Sequence, residues 1–228
     1  MLSVNQKTIL NEVPFKGIGL HSGVKAEIKI LPAQENYGIV FKRIDLKENN
    51  LIKANFKNVS SARLCTTLEN RFGVSVSTVE HLLAALYITG VDNALIEINN
   101  PEIPIMDGSS KEFVKTISRV GLKDLQAKRK YLKIVKKVQL TEGKKEISIE
   151  PSSEGLKVDF QLVYKNGIIG KQRNQINFLD ANLENVYSSR TFCLFEDINE
   201  IKKNGLAKGG SLDNAIVVKD EEILNAEG

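Results

Sequence analysis

The chain has 228 residues, of which 42% are hydrophobic and 26% charged, and a formal net charge of +4. That length allows two domains of ordinary size. The charge is modest and spread out, tryptophan is absent, and no aromatics interleave with the basic residues, which argues against a nucleic-acid surface.

In chain order, residues 7–31 carry two strand-like runs around Lys16-Gly-Ile-Gly-Leu-His-Ser-Gly23. Ala26–Leu31 alternates polar and apolar, as a half-buried strand does, and Tyr37–Arg43 reads as its partner. Residues 60–67 lead towards Ser77-Thr-Val-Glu-His-Leu-Leu-Ala-Ala-Leu86. There Val79, Leu82, Leu83, Leu86 and Tyr87 recur at spacings of three and four, the signature of a buried helix face. Ser77 is placed as N-cap, with Glu80 three residues on to complete a capping box.

The first turn of that helix holds Glu80 beside His81, one of two histidines in the chain. Two readings stand side by side. Neutral imidazole is a common zinc ligand, and a neighbouring carboxylate can act as general base. Alternatively, Glu80 caps the helix and His81 is a hydrogen-bonded core residue. The protease motif His-Glu-x-x-His is absent, because Glu precedes His and Ala85 holds the place of a second ligand. A metal site would therefore recruit ligands from elsewhere.

Ala94–Ile98 reads as a strand, and residues 101–110 as a loop broken by two prolines and a glycine. Lys111–Val120 reads as a helix with Phe113, Val114, Ile117 and Val120 on one face. Residues 121–130 are charged and read as a linker; Lys128-Arg129-Lys130 with Lys136-Lys137 is the densest basic group, read as a solvated linker and strand edge. Cys65 and Cys193 lie far apart without metal-type spacing, as two free thiols of a reducing compartment would. The N-terminus lacks the apolar segment of a secretory leader, and no apolar run approaches the ~20 residues of a membrane span. A cytoplasmic monomer without stable membrane insertion is expected.

The second half echoes the first. Glu27–Pro32 has a counterpart in Glu146–Pro151, Ser60-Ser61 with Cys65 in Ser188-Ser189 with Cys193, and Asp92–Ile96 in Asp213–Val217. Their common order predicts an α+β fold of two similar two-layer domains, sheet plus helices, related by internal duplication. The domains are 1–125 and 126–228. In the second, no counterpart of the Lys111–Val120 helix follows the last strand, so that copy is expected to be incomplete and loosely packed.

Six blocks carry a family resemblance: Gly17–Gly23, Leu64-Cys-Thr66, Ser77–Leu82, Asn100–Gly108, Ser189–Phe192 and Gly209–Val217. Together they resemble UDP-3-O-acyl-N-acetylglucosamine deacetylase, the zinc amidase that commits bacteria to lipid A synthesis. The resemblance implies Zn2+ as cofactor and UDP-3-O-acyl-N-acetylglucosamine as substrate. It makes His81 a zinc ligand, Glu80 the general base and Thr191 a stabiliser of the oxyanion. Phe192 would lie beside the substrate sugar, and Leu20 and His21 in an early active-site loop. Residues 197–217 would form an insert through which the acyl chain passes, lined by Ile198, Ala207, Gly210, Ser211, Ala215 and Val217. The family's other two zinc ligands belong to a His-Lys-x-x-Asp-x-x-Gly-Asp motif absent from these 228 residues. The chain as given is therefore expected to be inactive. The alternative is a non-catalytic sugar-nucleotide-binding or structural α+β protein.

Overall fold

Alternating burial builds the sheet that carries the site. The computed structural model describes residues 5–153, 155–180 and 182–226. The first half runs β1 (Asn5–Ile9), β2 (Val13–Ile18), β3 (Lys25–Pro32), β4 (Ile39–Arg43), β5 (Leu51–Lys53), β6 (Val59–Ser61), β7 (Thr67–Glu69), β8 (Ser75–Val76), α1 (Glu80–Thr89), β9 (Ala94–Ile98), α2 (Lys111–Val120) and β10 (Leu122–Lys128). In β3, Ala26, Ile28 and Ile30 are buried while Lys25 and Glu27 are exposed. In β9, Ala94, Ile96 and Ile98 turn inward in the same way.

β2, β3, β9, β4 and β5 form a five-stranded sheet in that order. β4 is therefore not the partner of β3. β9 lies between them, antiparallel to β3 and parallel to β4. The parallel pairing needs a crossover, and the chain between β4 and β9 supplies it, including α1. Helices α1 and α2 close the core, with Leu82, Ala85 and Leu86 from one and Phe113, Val114 and Ile117 from the other. The rings of Phe15 in β2 and Phe113 in α2 meet edge to face at 4.9 Å.

Two expectations fail at element ends. Residues 122–128 are not a linker: they form β10, which pairs antiparallel with β1. Arg129 donates to Asp92 at 2.7 and 3.0 Å and to the Gly90 carbonyl, so it is an anchored ion pair. A boundary after residue 125 would cut this strand. Ser77 is likewise not the N-cap of α1. The helix starts at Glu80, and Val79 occupies the cap position without a side-chain bond. The Ser77 amide and hydroxyl are both spent on the Pro101 carbonyl, at 2.8 and 3.2 Å.

The second half runs β11 (Val138–Glu142), β12 (Lys145–Ile149), β13 (Lys157–Val163), β14 (Lys171–Asn177), α3 (Glu184–Tyr187), β15 (Phe192–Leu194), α4 (Ile198–Lys203), β16 (Ile216–Lys219) and β17 (Glu222–Ile223). It is an α+β chain throughout, but these strands make two separate hairpins, β11–β12 and β13–β14, and a three-stranded unit β15-β16-β17. Leu140, Ile147, Phe160 and Val163 stay exposed on the hairpins, and the fully buried members of the main core all fall within residues 9–117. Glu27–Pro32 lies in the central sheet whereas Glu146–Pro151 begins in a hairpin strand. Asp92–Ile96 and Asp213–Val217 both lead into a parallel pairing, β4 with β9 and β15 with β16. Among the described residues no helix is long and apolar enough to cross a membrane.

Candidate active site

Glu80 enters the site because the chain before it is already committed. Thr78 adopts φ +56°, a left-handed conformation costly for a β-branched residue. Its hydroxyl donates to Glu102 at 3.0 Å. The backbone that emerges starts α1 at Glu80, whose carboxylate turns to the side and accepts the Thr66 amide at 3.0 Å. With no capping contact to make, Glu80 is a carboxylate oriented by one loop amide, half-buried at the positive end of a helix.

His81 sits one residue on, also half-buried. Burial lowers its pKa, against the opposing pull of Glu80 and Asp107. The neutral ring, the form that ligates metals, is favoured. The His81 carbonyl accepts the Ser110 hydroxyl at 2.9 Å, which ties α1 to the turn opening α2. That turn carries Asp107 and Gly108. Gly108 lies at φ +88°, and a side chain there would run into the Asn214 carbonyl. The Gly108 carbonyl accepts the Thr191 amide at 2.8 Å, bringing Thr191 beside the turn that faces His81. Arg190 reinforces the join by donating to the Asp107 carbonyl at 2.7 Å.

The loop at 19–23 is held by a buried carboxylate. Glu102, 2% exposed, accepts the His21 amide at 2.8 Å, the Ser22 amide at 2.7 Å and the Thr78 hydroxyl. One side chain therefore links the His21 loop to the residue that launches α1. Residues 207–209 dock on the same loop. The Lys208 amide donates to the His21 carbonyl at 3.2 Å, the Gly209 amide to the Leu20 carbonyl at 3.0 Å, and the Ala207 amide to His21 Nδ1 at 3.4 Å. Gly209 is required by this approach, since a Cβ would collide with the Gly19 carbonyl. A Cβ on Gly210 would stand 3.7 Å from Leu20.

Leu20, His21, Ala207 and Gly210 are thus brought together; Glu80 acts electrostatically on His21, and Thr191 joins the Gly108 turn. Ser211 and Ala215 form the next turn, the Ala215 amide donating to the Ser211 carbonyl at 3.1 Å. Phe192, Ile198 and Val217 make none of these contacts. Phe192 packs edge to face on Tyr164 at 5.6 Å, Ile198 opens α4, and Val217 is buried in β16. Glu102 is the residue that pattern reading passed over. Its signal was a lone acid in the otherwise apolar run Pro101-Glu-Ile-Pro-Ile105. An open cleft of about 780 Å3 between β1, β10 and residues 32–35 shares no residue with this region.

Residues 6–228 match the family described as LpxC, UDP-3-O-acyl N-acetylglycosamine deacetylase. The chain belongs to that family. Three relatives named UDP-3-O-acyl-N-acetylglucosamine deacetylase illustrate the match. The one from Haemophilus ducreyi is 39% identical over 228 residues, covering 99% of this chain and 74% of its own length. That of Shewanella frigidimarina is 40% identical over 226 residues, covering 98% and 74%. That of Geotalea uraniireducens is 42% identical over 224 residues, covering 98% and 72%. Each relative is therefore longer than this deacetylase-family chain by about a quarter of its own length.

Proposed function

We propose that the chain carries the deacetylase chemistry of its family: removal of the N-acetyl group from UDP-3-O-acyl-N-acetylglucosamine, releasing acetate and a free amine, on the route to lipid A. The observation that carries this reading is the Glu80 carboxylate. It leaves the capping role unfilled and is aimed by the Thr66 amide beside a neutral imidazole. Glu80 would accept the proton of the attacking water. The Thr191 hydroxyl, brought up by the Gly108 turn, would donate to the oxyanion that develops on the acetyl oxygen. Leu20, His21, Ala207 and Gly210 would bound the acyl chain. The cytoplasmic location, the monomeric state and the internal duplication belong to the same proposal.

The family's metal fits this chain only in part. A catalytic zinc takes three protein ligands. Among the described residues no three His, Cys, Asp or Glu side chains gather to hold one. His81 is placed to supply a single ligand. A second reading is a sugar-nucleotide-binding protein without metal chemistry.

The two readings separate in one experiment. Zinc content and acetate release are measured for the 228-residue chain and for the same chain fused to the unmatched quarter of the Haemophilus ducreyi relative. The deacetylase reading expects little zinc and no acetate from the chain alone, and both from the fusion. Glu80→Gln in the fusion should then keep zinc and lose roughly 10²–10⁴-fold in rate. A folded, zinc-loaded fusion without turnover, or one indifferent to Glu80→Gln, overturns it.

A further inference from the structure

The well-packed first half carries apolar side chains that its core does not use. Phe56 is 80% exposed, Phe72 53% and Leu51 50%. Hydrogen bonds gather the three around β5, an edge strand of the main sheet. Ile52 is buried, so alternation turns Leu51 and Lys53 outward. The Asn70 side chain donates to the Asn49 and Leu51 carbonyls at 2.6 and 3.0 Å, and its Oδ1 accepts the Phe72 amide at 2.9 Å. The turn that bears Phe72 is thereby fixed beside Leu51. At the far end of β5, the Asn58 side chain donates to the Lys53 carbonyl at 2.9 Å. That bond holds the short 3₁₀ helix Phe56–Asn58 against the strand, and Asn55 caps it by accepting the Lys57 amide at 2.9 Å. Basic groups are set among the apolar ones. Lys53 lies two residues from Leu51, Lys57 follows Phe56, and the Arg71 guanidinium stands 4.6 Å from the centre of the Phe72 ring. Across residues 47–72 the exposed cations Lys47, Lys53, Lys57, Arg63 and Arg71 outnumber the exposed carboxylates Glu48 and Glu69 by five to two.

We propose that this patch is a peripheral membrane contact, which seats the chain reversibly on an anionic lipid surface. Phe56, Phe72 and Leu51 enter the boundary between headgroups and acyl chains, and Lys53, Lys57 and Arg71 meet the lipid phosphates. The occupant follows from charge and from the length of the edge. An apolar patch rimmed by polar groups marks an interaction site, and rings interleaved with Lys and Arg suit a bilayer that is apolar below and negatively charged at its surface. A protein strand paired to β5 fits less well, because β5 offers an edge of only three residues. The contact needs no spanning segment. It holds by two weak terms acting together, burial of a few rings and attraction to anionic headgroups, so it is sensitive to salt.

The 228-residue chain is sedimented with vesicles of phosphatidylcholine alone and of phosphatidylcholine with phosphatidylglycerol in equal parts, at about 0.05 M and about 0.5 M salt. At low salt it should partition at least about 10-fold more strongly onto the anionic vesicles, and most of that preference should vanish at high salt. Lys57→Gln with Arg71→Gln should weaken binding to anionic vesicles by about 5-fold for each cation lost. Phe56→Ser with Phe72→Ser should weaken it at least about 10-fold. The second half supplies the control, since its hairpins also expose Leu140 and Phe160. Leu140→Ser with Phe160→Ser should leave binding unchanged. A parent chain without preference for anionic vesicles overturns the proposal whether or not any variant folds. So does a loss from the hairpin pair as large as that from Phe56 and Phe72. The outcome does not depend on deacetylation.

Discussion

Replacing Glu102 by alanine removes the one acceptor shared by the His21 amide, the Ser22 amide and the Thr78 hydroxyl. A buried donor left without a partner costs about 1–3 kcal/mol, and more when the lost partner was charged. Three donors sum to roughly 3–9 kcal/mol before relaxation. Water entering the vacated space can rehydrate the two amides, because Ser22 is half-buried and near the surface. That brings the expected loss to about 3–5 kcal/mol, or roughly 6–20 °C in Tm for a chain of this size. Glu102→Gln keeps one acceptor oxygen but turns an NH2 towards the other donors, so about half the loss is expected. Urea unfolding followed by circular dichroism measures both. With only two histidines in the chain, NMR resolves the two imidazoles, and the His21 signal should move in both variants. An alanine variant within about 0.5 kcal/mol of the parent, with an unmoved His21 signal, would refute the idea that this carboxylate staples the site.

Other substitutions test separate links. Gly108→Ala must place a Cβ against the Asn214 carbonyl at φ +88°, so a loss of at least about 2 kcal/mol is expected in thermal unfolding; a neutral result would mean that the 107–108 turn does not pin Thr191. Asp45 receives two hydrogen bonds from the Arg43 guanidinium, at 2.8 and 2.6 Å, which hold its carboxyl below the ordinary value. A depressed carboxyl stabilises the fold above about pH 4, and that contribution is lost as pH falls through the folded-state pKa. Asp45→Asn should therefore cost about 1–2 kcal/mol at pH 7, and the gap should close as pH falls through the folded-state pKa; a gap in urea midpoints that does not narrow in acid contradicts this. Gly210→Leu places a Cβ already in contact with Ala207 and Leu20 at 3.4 to 3.8 Å, so the larger side chain should fill the adjoining space and, in an active fusion, suppress turnover of a long-acyl substrate more than of a short-acyl analogue. Equal losses on the two substrates would remove Gly210 from the acyl passage.

How far the chain could be read depends on what each feature rests on. Lys111–Val120 was legible to the residue, because Phe113, Val114 and Ile117 repeat at helix spacing and all three are buried. The strands β3 and β9 were legible from alternation alone. The start of α1 was misplaced, since a Ser-x-x-Glu pattern is a local signal and a long-range contact, Ser77 to Pro101, claimed the serine first. β10 was missed because its composition is that of a linker; its hydrogen bonds come from β1, more than 110 residues earlier in the chain.

The site divides along the same line. Glu80 and His81 are neighbours in sequence, so their pairing needed no fold to be noticed, and the motif blocks marked Leu20, His21, Thr191 and Gly210 without placing them. What the pair does required the tertiary structure. Only the folded chain shows that Thr66 takes the Glu80 carboxylate and that Glu102 binds two loops at once. It also brings Ala207 onto His21 across 186 residues. The reason is one of range. Periodicity, capping patterns and turn residues report interactions within a few residues along the chain. A hydrogen bond between a buried carboxylate and an amide 81 residues away is selected by packing, and packing is a property of the whole fold.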